Sequence, residues 1–97
     1  MDKMIYLNTL YDIYKEMFTE KQQMYYEAYY FENLSLSEIA DNNNVSRNAV
    51  HNQIKIIEEK LQELENILKI NEKNNKIIKM LENKVDSKLL EEIKGIM

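Results

Sequence analysis

Across 97 residues this chain has no proline and a single glycine, so it lacks the usual residues for reversing direction in tight turns. Strand-rich folds need such residues every few positions, and here only Asn, Asp and Ser remain to serve. Apolar residues recur at spacings of three and four rather than two, which is the period of an amphipathic helix. The expected fold class is therefore all-α. One glycine also leaves no means of building a glycine-rich phosphate loop. The absence of cysteine removes disulfides, thiolate metal sites and thiol catalysis. His51 is the only histidine, so no histidine cluster exists to ligate a metal or serve a triad. No cofactor, no metal and no enzymatic activity are expected.

The length accommodates one domain, or a small domain with an extension. Hydrophobic residues make up 44% and charged residues 31%, the balance of a globular chain rather than a disordered one. No run approaches the roughly 18 apolar residues of a membrane span. The start, Met1-Asp2-Lys3-Met4, lacks the basic and apolar regions of a secretory signal. A cytoplasmic location without membrane insertion is the expectation.

Helix boundaries follow from capping residues. A first helix is expected from about Asp2 to Phe18. Met4, Leu7, Tyr11, Tyr14 and Phe18 form its apolar stripe, widened by Ile5, Leu10, Ile13 and Met17. So broad a face calls for packing on two sides or for a subunit interface. Thr19-Glu20-Lys21-Gln22 and Ser35-Leu36-Ser37-Glu38 both read as capping boxes, opening second and third helices. Asn42-Asn43-Asn44 ends the third, because Asn tolerates the left-handed conformation that usually falls to glycine. Ser46 caps a fourth helix running to about Leu68, roughly 35 Å long at 1.5 Å per residue. Asn71, Asn74 and Asn75 are expected to bend or break the pattern before a fifth segment with Ile77, Ile78, Leu81 and Val85. Asp86-Ser87 caps a sixth, in which Gly95 weakens the last turn. In this division residues 1–70 form the principal domain, and 71–97 a C-terminal helical extension packed on the same unit.

The stretch from Leu36 to Ile54 carries the functional signal. Two helices that cross at a tight turn need a small residue where they touch, which Ala40 supplies. They need a turn residue tolerant of an unusual backbone angle, Asn44, and apolar anchors on either side, Ile39, Val45, Val50 and Ile54. All fall at helix-turn-helix spacing. An ordinary helical hairpin is the alternative. Thr19-Glu20-Lys21-Gln22, Leu34 to Ala40, and Val45-Ser46-Arg47-Asn48-Ala49-Val50 together resemble the fourth region of bacterial sigma factors. Over roughly residues 1 to 80 the chain more closely resembles the YlxM family, small helix-turn-helix proteins whose gene commonly neighbours that of the signal recognition particle GTPase. The Leu-Ser-Leu-Ser-Glu-Ile-Ala run is the most specific part. The resemblance implies a regulator linked to the signal recognition particle pathway, with components of that particle as partners.

In such a motif the outward residues of the second helix reach base edges, and nearby basic groups hold phosphates. Here those residues are Ser46, Arg47, Asn48, His51, Asn52 and Lys55, and the partner is duplex DNA or structured RNA. Arg bridges guanine O6 and N7, Asn does the same at adenine, and Ser46 at the helix start suits a phosphate. His51 fits equally well as an exposed polar residue beside the turn. Charge is the weak point. Residues 1–46 sum to −5 and residues 47–97 to +1, whereas duplex affinity comes largely from phosphate neutralisation.

Downstream, Val50, Ile54, Ile57, Leu61, Leu64 and Leu68 alternate at four and three, a heptad seam. The first helix and the C-terminal helices of the same chain could cover it, or a second copy could. The helix is long for a chain of this size, which favours a homodimer paired through Ile54, Ile57, Leu61, Leu64 and Leu68. Glu58, Glu59, Glu63, Glu65 and Glu72 read as a solvated face paired with Lys55, Lys60 and Lys69, not as catalytic carboxylates. Of Tyr25, Tyr26, Tyr29 and Tyr30, two are expected in the core and two at the surface, serving packing ahead of base stacking. Two functions remain open. One is a regulatory nucleic-acid-binding module. The other is an adaptor that keeps the helix-turn-helix as a scaffold and docks through the seam and C-terminal helices.

Overall fold

A computed structural model describes residues 2–97; Met1, part of the N-terminal stretch read above, lies outside them. Among the described residues there are six α-helices, one 3₁₀ turn and no strand. Helix α1 spans Lys3–Tyr14, α2 Glu20–Tyr30, α3 Leu36–Asn43, α4 Arg47–Leu68, α5 Ile70–Leu81 and α6 Ser87–Ile96. Among the described residues no helix is long and apolar enough to cross a membrane.

Both capping boxes form. The Thr19 hydroxyl oxygen accepts the Gln22 N–H at 3.1 Å, and Gln22 Oε1 accepts the Thr19 N–H at 3.0 Å. Ser35 and Glu38 make the same reciprocal pair at 3.1 and 3.0 Å. The Ser35 backbone N–H, and then its side chain, hold the exposed Glu38 carboxyl below its ordinary pKa. Ser46 and Asp86 cap α4 and α6 by accepting the N–H groups of Ala49 and Leu89. With no glycine at a turn, other residues take the left-handed conformation: Asn33 (φ 55°), Asn44 (φ 54°) and Lys69 (φ 55°).

The first helix is shorter than its periodicity indicates. It ends at Tyr14, and residues Lys15–Met17 tighten into a 3₁₀ turn that sends Phe18 into the core. Gln23 Nε2 donates to the carbonyls of Lys15 and Phe18, both at 3.1 Å, adding a second bond to the Lys15 carbonyl that already accepts the Phe18 N–H.

Two apolar clusters share α2 and α4. In the first, Leu7, Leu10, Tyr11, Tyr14 and Phe18 meet Tyr26 from α2 and Ile57 and Leu61 from α4. In the second, Tyr25 and Ala28 meet Ile39 and Ala40 of α3 and Val50 and Ile54 of α4. Tyr25 and Tyr26 are neighbours in sequence, yet both are buried, because α2 is covered on two sides. Tyr29 and Tyr30, expected at the surface, are instead half-buried and pack against these clusters.

This packing corrects the seam. Ile54, Ile57 and Leu61 are 4%, 0% and 0% exposed within one chain, so they offer nothing to a second copy. Helices α1, α2 and α3 cover them, which is why α1 is so broadly apolar. Leu64 is half-buried, and of the seam only Leu68 is exposed.

The break after α4 also falls elsewhere than the asparagines. It sits at Lys69, and Asn71, Asn74 and Asn75 lie inside α5. A lysine at φ 55° costs roughly 1–2 kcal/mol. Glu65 offsets that cost. Far from being solvated, it is 7% exposed, and its carboxylate accepts the N–H groups of Asn71 (3.1 Å) and Glu72 (3.0 Å) at the start of α5. It also accepts from the Tyr14 hydroxyl at 2.7 Å. Helix α5 then lies against α1 and α4, with α6 against α5.

Candidate nucleic-acid interface

Helices α3 and α4 meet through a three-residue turn, Asn44-Val45-Ser46. The Asn44 N–H caps α3, and the Val45 N–H donates to the Ala40 carbonyl at 3.1 Å. Ala40 is buried at the crossing and Val45 half-buried, so the two axes approach closely and the start of α4 is fixed.

From that start, Arg47, Asn48, His51, Asn52 and Lys55 project from one side of the first three turns, all exposed. Val50 and Ile54 occupy the opposite side in the second core. The periodicity thus separates a packed face from a polar one. Ser46 is exposed as well, with its oxygen engaged by Ala49 at 3.0 Å and its hydroxyl proton left to donate.

The two flanks of this ridge differ in charge. On one side a groove of about 480 Å³ is lined by Thr19, Lys21, Gln22, Tyr25, Val45, Ala49, Asn52 and Gln53, with no acid among them. On the other, a groove of about 380 Å³ contains His51 and Lys55 but also Glu58. A phosphate backbone is repelled by Glu58 and attracted by Lys21, so the Lys21 flank is the one suited to it. Among the described residues no ion pair engages Lys21, Arg47 or Lys55. Lys21 Nζ lies 5.8 Å from the Tyr25 ring centroid, a cation–π contact that orients it beside the groove.

Lys21, Gln22 and Gln53 escaped the sequence reading. The capping box places Lys21 in the first turn of α2, but only the crossing of α2 and α4 brings it alongside Asn52. Of the pairing expected for the acidic face, Lys69 with Glu72 (3.9 Å) forms, and Glu72 also pairs with Lys76 (3.3 Å). Glu58 instead accepts a hydrogen bond from the Tyr30 hydroxyl. Lys55 and Lys60 have no such partner among the described residues.

A close-crossed helix pair with a polar ridge on its second member defines a helix-turn-helix protein. Residues 1–96 match the model of the family described as "Putative helix-turn-helix protein, YlxM / p13 like". The chain is 39% identical over 92 residues to a UPF0122 protein of Mycoplasma capricolum, covering 95% of this chain and 80% of that one. It is 39% identical over 95 residues to a UPF0122 protein of Halalkalibacterium halodurans, covering 95% and 87%. To a UPF0122 protein of Bacillus pumilus it is 37% identical over 101 residues, covering 100% and 92%. The chain belongs to this YlxM / p13-like family.

Proposed function

We propose that this protein is a regulator that acts in the cytoplasm by binding nucleic acid, not by catalysis. It presents Ser46, Arg47, Asn48, His51, Asn52 and Lys55 to the major groove of duplex DNA. The observation that carries this reading is the division of α4. Its N-cap and first three turns expose every one of these side chains while Val50 and Ile54 anchor the other face. Arg47 and Asn52 supply base-edge donors and acceptors; Lys55, with Lys21 from α2, supplies phosphate contacts. A role in the signal recognition particle pathway belongs to the same proposal, resting on the YlxM resemblance.

The test is a titration of mixed-sequence duplex DNA and of signal recognition particle RNA, at low and near-physiological salt, with the wild type and Arg47→Ala. Salt-dependent duplex binding that Arg47→Ala weakens without loss of stability supports the proposal. Preference for the RNA moves the same surface into the targeting pathway. Binding to neither polymer overturns it and leaves the motif as a scaffold.

A further inference from the structure

Residues 69–97 contribute no buried side chain, although α5 and α6 are both amphipathic. On the inner side of α5, Asn71, Asn74 and Ile78 reach only half burial in a cleft shared with Thr9, Asp12 and Ile13 of α1. Ile67, Ile70, Ile77, Met80, Leu89 and Ile96 remain exposed. The arm rests on the body without being built into it.

Its attachment is one residue long. Lys69 alone separates α4 from α5, and it does so in the left-handed conformation. Were Lys69 right-handed, Arg47 to Leu81 would be a single helix about 50 Å long. The N–H groups of Asn71 and Glu72 would then bond to the carbonyls of Ile67 and Leu68 in place of the Glu65 carboxylate. Backbone hydrogen bonds would be exchanged, not lost, and the strain at Lys69 would vanish. Straightening removes the contact of α5 with α1, which the α1 surface of a second copy replaces, and it takes from the buried Glu65 carboxylate its two N–H donors at the start of α5, leaving it the Tyr14 hydroxyl.

We infer that two copies exchange their C-terminal arms, α5 of each lying on α1 of the other. A strained hinge of minimal length is the arrangement in which such an exchange costs least. Charge does not oppose it: helix α5 carries Lys73, Lys76 and Lys79 against Glu72, while residues 1–46 sum to −5, so basic α5 meets an acidic body in the exchanged arrangement as in the closed one. Ile67 and Ile70 flank the hinge, where the two straightened helices cross, and find cover there.

Light scattering on a sizing column tests the inference over roughly a thousandfold range of concentration. The expected result is a shift from 11.7 kDa toward twice that mass. Lys69→Gly, which accepts the bend, weakens dimerisation by about tenfold, whereas Lys69→Ala, which keeps the Cβ and with it the strain, leaves it within about twofold. Because the chain has no cysteine, Thr9→Cys with Asn75→Cys gives a clean cross-link across the α1–α5 cleft. A short bis-maleimide joins two chains in the isolated dimer if arms are exchanged. A monomer at every concentration overturns the inference. So does a dimer cross-linked only within each chain, or the same response from both Lys69 variants.

Discussion

The Tyr14 hydroxyl donates to Glu65 at 2.7 Å across 51 positions of sequence, and it accepts the Ile70 N–H at 3.3 Å. Three helices meet at this pair. Glu65 belongs to α4 and caps α5, while Tyr14 ends α1, so the corner after α4 is tied to the first helix by polar contacts inside an apolar surround.

Removing the carboxylate therefore leaves a buried hydroxyl and two helix-start N–H groups without an acceptor. Glu65→Ala is expected to cost about 2–3 kcal/mol in urea unfolding, and Tyr14→Phe about 1 kcal/mol. A change below about 0.5 kcal/mol for Glu65→Ala would return this residue to the ordinary exposed class.

Alkaline pH attacks the same region. Burial first, and then the hydrogen bond to Glu65, push the Tyr14 hydroxyl from 10.0 to about 12. Burial likewise raises Tyr11, Tyr26 and Tyr30, and in Tyr11 and Tyr30 the neighbouring carboxylates of Glu27 and Glu58 add to it. The folded chain thus keeps protons that the unfolded chain releases. Its stability is fully present below about pH 10 and falls as pH rises toward 12. Each such tyrosine removes about 1.4 kcal/mol per pH unit in that window. Urea midpoints measured between neutral pH and pH 11 should stay level and then drop; a flat profile would contradict the burial of these hydroxyls.

The seam residues should sort by what covers them. Leu61→Ala empties a site that is 0% exposed and is expected to cost about 2–5 kcal/mol. Leu68→Ala, at 42% exposure, should cost under about 1 kcal/mol. Losses of stability that are the same at low protein concentration, where the chain is monomeric, as at high concentration would place both effects inside one chain.

On the recognition side, Lys21→Ala should weaken duplex binding although it lies on α2, outside the helix-turn-helix. With Lys21 and Lys55 as the phosphate contacts, the slope of log K against log salt should be about −2, and about one less steep in the variant. An unchanged slope would exclude the Lys21 groove from the interface.

Caps and turns were legible because they are local. The reciprocal pairs Thr19/Gln22 and Ser35/Glu38 need only residues three apart, and Asn44 and Ser46 announce the turn between α3 and α4 unaided. The polar ridge of α4 followed from period alone. What covers a face did not, since a heptad pattern marks an apolar stripe without saying whose side chains fill it. Glu65 was misread for the same reason: its partner Tyr14 lies 51 residues away. Lys69 carries no turn signal, and the nearby asparagines drew attention to the wrong positions.

Tyr25 and Tyr26 place consecutive side chains in two separate cores, so the register of α2 answers to both at once. Inserting or deleting one residue upstream within α2 would turn each ring out of its site, damaging the recognition module and the N-terminal packing in a single event. Arg47, Asn48, His51 and Asn52 stand under no such constraint, because their side chains touch neither core. Divergence among descendants of this chain is thereby channelled: the reading face is free to acquire new preferences, while the length of α2 stays fixed.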